Sequence, residues 1–136
     1  MNTDLIATER VMGFGTFDGL HPGHLDFLKQ LKLLGKETIV VIARDENVKK
    51  IKGKKPQFSE KERADAVQKT GLADRVLLGH LHDFYECLIT YNPTIIGLGY
   101  DQKADKEAIF ERLPHVKIAR LKPFQPQRYK SSLLNE

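Results

Sequence analysis

Five short runs of apolar, partly β-branched residues punctuate the chain, at 10–15, 38–43, 75–78, 94–98 and 116–119, and helix-length polar segments separate them. Each run is nearly continuous in its apolar residues instead of alternating, which is how a strand buried on both faces reads. Strands of that kind belong to parallel sheets whose crossover helices cover both sides. The βαβαβαβαβ alternation therefore predicts an α/β, doubly wound, Rossmann-like five-stranded parallel sheet with helices on both faces. Leu25, Leu28, Leu31 and Leu34 recur at three-residue spacing, and Phe27 widens the apolar face of this first helix. Gly35 stands just past its end, where a C-cap is expected. Ser59 and Glu62 have the spacing of a capping box, opening a helix that Gly71 closes. Residues 82–91, ended by Asn92-Pro93, and residues 103–113 are the remaining helical segments, and residues 123–126 read as a final loop.

With 136 residues the chain is expected to form a single domain, 1–136, without room for a second core. The lone cysteine, Cys87, cannot form an internal disulfide, which agrees with a reducing compartment. No apolar run approaches the roughly 20 residues of a membrane span. Residues 1–10 carry Asp4 and Glu9 and lack a signal-peptide stretch, so a cytoplasmic protein is expected. The excess of 22 Lys+Arg over 18 Asp+Glu is concentrated at Lys49, Lys50, Lys52, Lys54 and Lys55. Such a cluster attracts anions, although most of it reads as a solvated surface loop.

The first strand runs into Gly15-Thr16-Phe17-Asp18-Gly19-Leu20-His21-Pro22-Gly23-His24. Parallel sheets bind ligands beyond the carboxyl ends of their strands, which is where this segment lies. Pro22 suits a first helical turn, because its missing N–H would have had no intrahelical partner. Gly23 lets a ligand approach the backbone, and the free amides and dipole of a helix start attract phosphate oxygens. His21 and His24 add two donors able to reach one polyphosphate; the alternative is a pair of surface or capping histidines. Two histidines and one remote cysteine do not complete a tetrahedral zinc site, so no metal ligand is assigned. His80 and His82 read as part of an exposed loop.

This stretch resembles the nucleotidyltransferases of the cytidylyltransferase-like superfamily, whose HxGH motif is matched by His21, Gly23 and His24. Residues 15–24 are similar to the version in glycerol-3-phosphate cytidylyltransferases, heptose-phosphate adenylyltransferases and archaeal-type FAD synthases. Arg44-Asp45, Lys52-Gly53, Glu62 with Arg63, Gly99 with Asp101, and Ser131-Ser132 follow in the family's order. The resemblance implies in-line attack by an acceptor's phosphate oxygen on the α-phosphorus of a nucleoside triphosphate, with release of pyrophosphate and no protein nucleophile. Catalysis then rests on positioning and on stabilising developing negative charge.

The same resemblance supplies roles. His21 and His24 would contact the triphosphate, Lys52 would bind phosphate from a mobile loop, and Arg63 would point at the nucleotide from its helix. These four are the catalytic candidates; for Arg63 the alternative is a pair with Ser59 or nearby carboxylates one helical turn away. Gly15, Thr16, Phe17, Asp18, Gly23, Gly99, Asp101, Ser131 and Ser132 are the nucleotide-binding candidates. Thr16 would offer its hydroxyl or N–H to an α-phosphate oxygen, or is simply a β-branched strand end. Asp18 would orient the loop or the acceptor side, or is an ordinary turn aspartate. Gly99-Tyr100-Asp101 would hold ribose or base, and the two serines would meet the β- and γ-phosphates.

The stretches around Val41-Ile42-Ala43-Arg44-Asp45 and Leu98-Gly99-Tyr100-Asp101-Gln102 look most like archaeal-type FAD synthases. They imply ATP and FMN as substrates, with Mg²⁺ carried in by the triphosphate. Phe17, Tyr100, Phe124 and Tyr129 are candidates to line an apolar pocket for the flavin ring, or are packing residues. The rival acceptor is glycerol 3-phosphate with CTP as donor. A non-catalytic nucleotide- or RNA-binding module built on the lysine cluster is the reading of a different class; no aromatic-interleaved basic face supports RNA. Relatives often form homodimers.

Overall fold

The computed structural model describes residues 9–124. Five strands, β1 (Arg10–Gly15), β2 (Glu37–Ile42), β3 (Arg75–Leu78), β4 (Ile95–Leu98) and β5 (Lys117–Arg120), form one sheet of order β3-β2-β1-β4-β5. Every neighbouring pair is parallel. The strand order reverses between β1 and β4, so the crevice beyond their carboxyl ends is the topological switch point where such sheets bind ligands.

Successive strand residues point to opposite faces, and both faces are buried. Val11, Val40, Ile42 and Ile95 join a core with Leu28, Leu31 and Val67 on one side. Met12, Ile39, Val41 and Ile96 join Leu88 and Ile109 on the other. That double burial is why the strand sequences are continuously apolar.

The helices are α1 (Pro22–Leu34), α2 (Asp45–Lys52), α3 (Glu60–Lys69), α4 (Glu86–Tyr91) and α5 (Lys106–Arg112). Ser59 and Glu62 form the expected reciprocal capping box at the start of α3. α4 begins four residues later than the apolar pattern suggests. The reason is local: His80 Nδ1 accepts the backbone N–H groups of both His82 and Asp83 and holds that stretch as a turn.

α2 replaces what the lysine cluster suggests is a loop. Asp45 and Glu46 stand in its first turn and Lys49, Lys50 and Lys52 in its last, matching the helix dipole at both ends. Val48 anchors it in the core, and Gly53, at φ +80°, caps it through an N–H bond to the Lys49 carbonyl. Gly35, by contrast, is extended and not left-handed. A Cβ there would lie 2.8 Å from Val11 Cγ2, so close packing explains its small size. Among the described residues no helix is long and apolar enough to cross a membrane.

A close contact helps to seat α1 on the sheet. Gly13 of β1 and Gly97 of β4 are register partners, and a Cβ on either would come within 2.5 Å and 2.4 Å of the Leu31 side chain. Leu31, fully buried, occupies the space that both glycines leave. Gly97→Ala should overpack this position and cost about 1–3 kcal/mol. In urea titration its midpoint should fall with little change in slope.

Candidate active site

Beyond β1 and β4 lies an open cleft of about 860 Å³. Gly15, Thr16, Phe17, Asp18, His21, Gly23, His24, Lys52, Gly99 and Asp101, all singled out in the sequence, line it together. Ser131 and Ser132 lie outside the described residues, as does Tyr129. Tyr100 and Phe124 also face the cleft.

The turn after β1 is shaped by Phe17, a non-glycine residue at φ +52°. Its ring is buried and lies 6.0 Å from the Phe27 ring and 5.4 Å from that of His24. Packing thus sustains a backbone conformation that an exposed phenylalanine would avoid. Because the ring folds back over Gly15, a Cβ at that position would meet Phe17 Cε2 at 2.6 Å. Asp18 then reaches across to the entry of α3, where its carboxylate accepts the Gln57 and Phe58 N–H groups at 2.7 and 2.8 Å. Desolvation works to raise its pKa, but these amides and the charges of Arg63 and Lys52 outweigh it and hold the carboxyl below its ordinary value. Asp18 is therefore a loop anchor as well as a cleft residue.

The two histidines cap their own helix. His21 is the N-cap of α1, and its Nδ1 accepts the Gly23 N–H at 3.1 Å. His24 Nδ1 accepts the His21 N–H at 3.3 Å, completing a capping box made of imidazoles. The capping alternative and the functional one are thus both served by the same side chains. The rings stack with centroids 3.7 Å apart. Since each Nδ1 is an acceptor, each ring in its neutral form carries its proton on Nε2. The His24 ring also hydrogen-bonds the Gly19 backbone, so the Nε2–H edge of His21 is the one left to donate. Desolvation, followed by the neighbouring His21 and Lys52, lowers the His24 pKa, while a hydrogen bond to the Gly19 backbone acts in the opposite sense. The net effect holds the His24 imidazole below the ordinary histidine value.

Two expectations need correction. Arg63 does not line the cleft: its side chain is fully buried and its donors are directed at other parts of the chain. Nε donates to the Phe58 carbonyl at 2.9 Å, Nη1 to the Thr16 carbonyl at 2.8 Å, and Nη2 to Asp45 Oδ1 at 2.6 Å. It is a clamp that fixes the Thr16 backbone behind the site. Asp45 N–H in turn donates to Glu60, whose carboxylate also pairs with Arg44 at 3.2 Å. Lys52, for its part, stands on the last turn of α2 and not in a loop, with its exposed side chain at the cleft edge.

Sequence reasoning missed Gln102 and Lys122, which also line the cleft. Lys122 is held by Gln30, whose Oε1 accepts the Lys122 N–H at 2.9 Å and whose Nε2 donates to the Lys122 carbonyl at 2.9 Å and to Asp26. The available signal was position: Lys122 follows β5 at the same carboxyl edge.

Arg63→Met would leave one partly exposed carboxylate and two carbonyls without their donor. It should cost about 3 kcal/mol in urea unfolding and lower turnover with it; an unchanged unfolding midpoint would restore the nucleotide-directed role. The Asp18 anchor should show a pH signature. With a folded pKa below the ordinary 3.8, its contribution is complete above that value and vanishes as pH falls through the folded one. The stability gap between wild type and Asp18→Asn should therefore be widest near neutrality and close in acid.

Residues 12–133 match the cytidylyltransferase-like family. The chain is 44% identical over 119 residues to the FAD synthase of Aciduliprofundum boonei, covering 85% of this chain and 79% of that one. It is 45% identical over 104 residues to the FAD synthase of Methanosarcina barkeri, covering 76% and 73%. The crystal structure of the lipopolysaccharide core biosynthesis protein from Thermoplasma volcanium superposes with a TM-score of 0.79 at 40% identity, over 85% of this chain and 98% of that one. Sequence, sheet order and the histidine-capped helix at the switch point lead to one assignment: the chain belongs to the cytidylyltransferase-like family of nucleotidyltransferases.

Proposed function

We propose that the chain is an FMN adenylyltransferase, forming FAD and pyrophosphate from ATP and FMN. The observation that carries this reading is the stacked His21–His24 pair, which caps α1 and lines the crevice between β1 and β4. The FAD synthases among the relatives supply the choice of substrates.

In this reading the FMN phosphate oxygen attacks the α-phosphorus in line, the new P–O bond forms, and the bond to the β-phosphate oxygen breaks as pyrophosphate leaves. His21 and His24 contact triphosphate oxygens, and Lys52 and Lys122 add positive charge at the cleft edge. Thr16 presents its hydroxyl or N–H to the α-phosphate, on a backbone that Arg63 holds still. Gly15 and the buried Phe17 shape the turn that the nucleotide meets, Gly23 stands at the helix start facing it, and Gly99 and Asp101 hold ribose or base. None of these groups forms a covalent bond; each is fixed before the negative charge develops, which is what makes it effective.

Mg²⁺ accompanies the triphosphate in this scheme and supplies charge neutralisation on its phosphate oxygens. Two cleft carboxylates already accept hydrogen bonds, Asp18 from two amides and Asp26 from Gln30. The cation would thus rest mainly on the triphosphate's own oxygens. The partners are thus small molecules; neither a membrane nor nucleic acid is required, and the working assembly is taken as a homodimer on the family resemblance.

Pyrophosphate release is the test, with Mg²⁺ present and ATP and CTP each crossed against FMN and glycerol 3-phosphate. Release with ATP and FMN alone, accompanied by FAD, is expected. Activity with CTP and glycerol 3-phosphate would move the chain to the rival cytidylyltransferase reading, and binding without turnover in every combination would favour a nucleotide-binding module. His21→Ala or His24→Ala should lower kcat by about 10²–10³-fold while an ATP analogue still binds.

A further inference from the structure

The pairing of β1 with β4 stops at Gly13↔Gly97. By that register, the next rung of the ladder would run from the Gly99 N–H to the Phe14 carbonyl. Instead the Gln102 carboxamide stands between them. Its Oε1 accepts the Gly99 N–H at 2.8 Å and its Nε2 donates to the Phe14 carbonyl at 2.9 Å. A primary amide has the same donor and acceptor as a peptide unit, so the side chain extends the ladder while holding the two strand ends apart by its own width. The loop that returns Gln102 to this position is pinned from the other side. Arg120, at the end of β5, donates to the Gly99 carbonyl at 2.8 Å and to the Gln102 carbonyl.

We propose that Gln102 is a positioning residue that sets the width of the β1–β4 crevice, and through it the seat of the nucleoside half of ATP. The inference deepens the adenylyltransferase reading and rests on it for the identity of the nucleotide. Its logic is geometric. With the last free N–H and C=O of the two strands already satisfied by Gln102, the ligand meets a crevice of fixed span instead of competing for those groups. Tyr100 and Asp101, carried on the short loop between Gly99 and Gln102, are presented to the cleft by the same clasp. Gln102 itself need make no contact with the reacting atoms.

Two variants separate this from a purely structural role. Gln102→Met keeps the length of the side chain and removes both hydrogen bonds. Gln102→Glu keeps the acceptor and sets a carboxylate oxygen against the Phe14 carbonyl. Both should raise the dissociation constant of a non-hydrolysable ATP analogue, measured by titration calorimetry without acceptor, by about tenfold. KM for ATP should rise by the same factor, with kcat and KM for FMN within about twofold of wild type. Binding of the analogue within twofold of wild type, in variants whose melting temperature is unchanged, would overturn the proposal. So would a fall in kcat with nucleotide affinity intact, or failure of both variants to fold, which would make the amide a requirement of the fold alone. Wild-type protein that binds the analogue but makes no FAD would sink the FMN reading while leaving this test in force. Wild type that binds no analogue would sink both.

Discussion

The buried guanidinium of Arg63 joins pieces of chain that no strand or helix connects. The turn after β1, the start of α2 and the entry of α3 all lean on it, through the Thr16 carbonyl, the Asp45 carboxylate and the Phe58 carbonyl. Removing a charge of this kind from water is costly unless its donors are satisfied, and here each nitrogen has an acceptor. The Asp18 carboxylate completes the same junction from the opposite side by binding the amides of Gln57 and Phe58. The turn after β1 is thus held from two directions, by a cationic anchor and an anionic one.

Anchorage of this turn matters because the reaction offers the protein no covalent work. Whatever acceleration it provides must come from donors that are already aimed, and the capping of α1 by its own histidines achieves that aim locally. The helix start needs acceptors for its orphan N–H groups, and the two Nδ1 atoms provide them. Satisfying the helix fixes the tautomer, and fixing the tautomer turns the opposite edge of the His21 ring outward as a donor. One motif therefore answers a folding requirement and a chemical one together.

Much of this was legible in the sequence, and the limits have physical reasons. Strands buried on both faces announce themselves by continuous apolar runs, and Ser59 with Glu62 marks a helix start from spacing alone. The HxGH stretch carried its own context, since it follows a strand and opens a helix. α2 escaped notice because Val48 is its one buried residue and lysines dominate the rest of its last turn. Arg63 was misjudged because sequence spacing places a residue on a helix but does not say whether the side chain turns inward. Gln102 and Gln30 act on backbone groups distant in sequence, through contacts 88 and 92 residues apart, and no local pattern encodes such contacts.

The seating of Leu31 over Gly13 and Gly97 has a consequence for His24. Seven residues separate the two, which on an α-helix is close to two full turns, so they share one face about 10 Å apart along the axis. A knob held between two strands prevents α1 from rolling, and a helix that cannot roll keeps the bearing of everything on that stripe. The imidazole's heading is thereby set from the floor of the sheet. A methyl group added there would act like a misaligned bearing under a gun mount, and damage to packing would surface as a loss of aim.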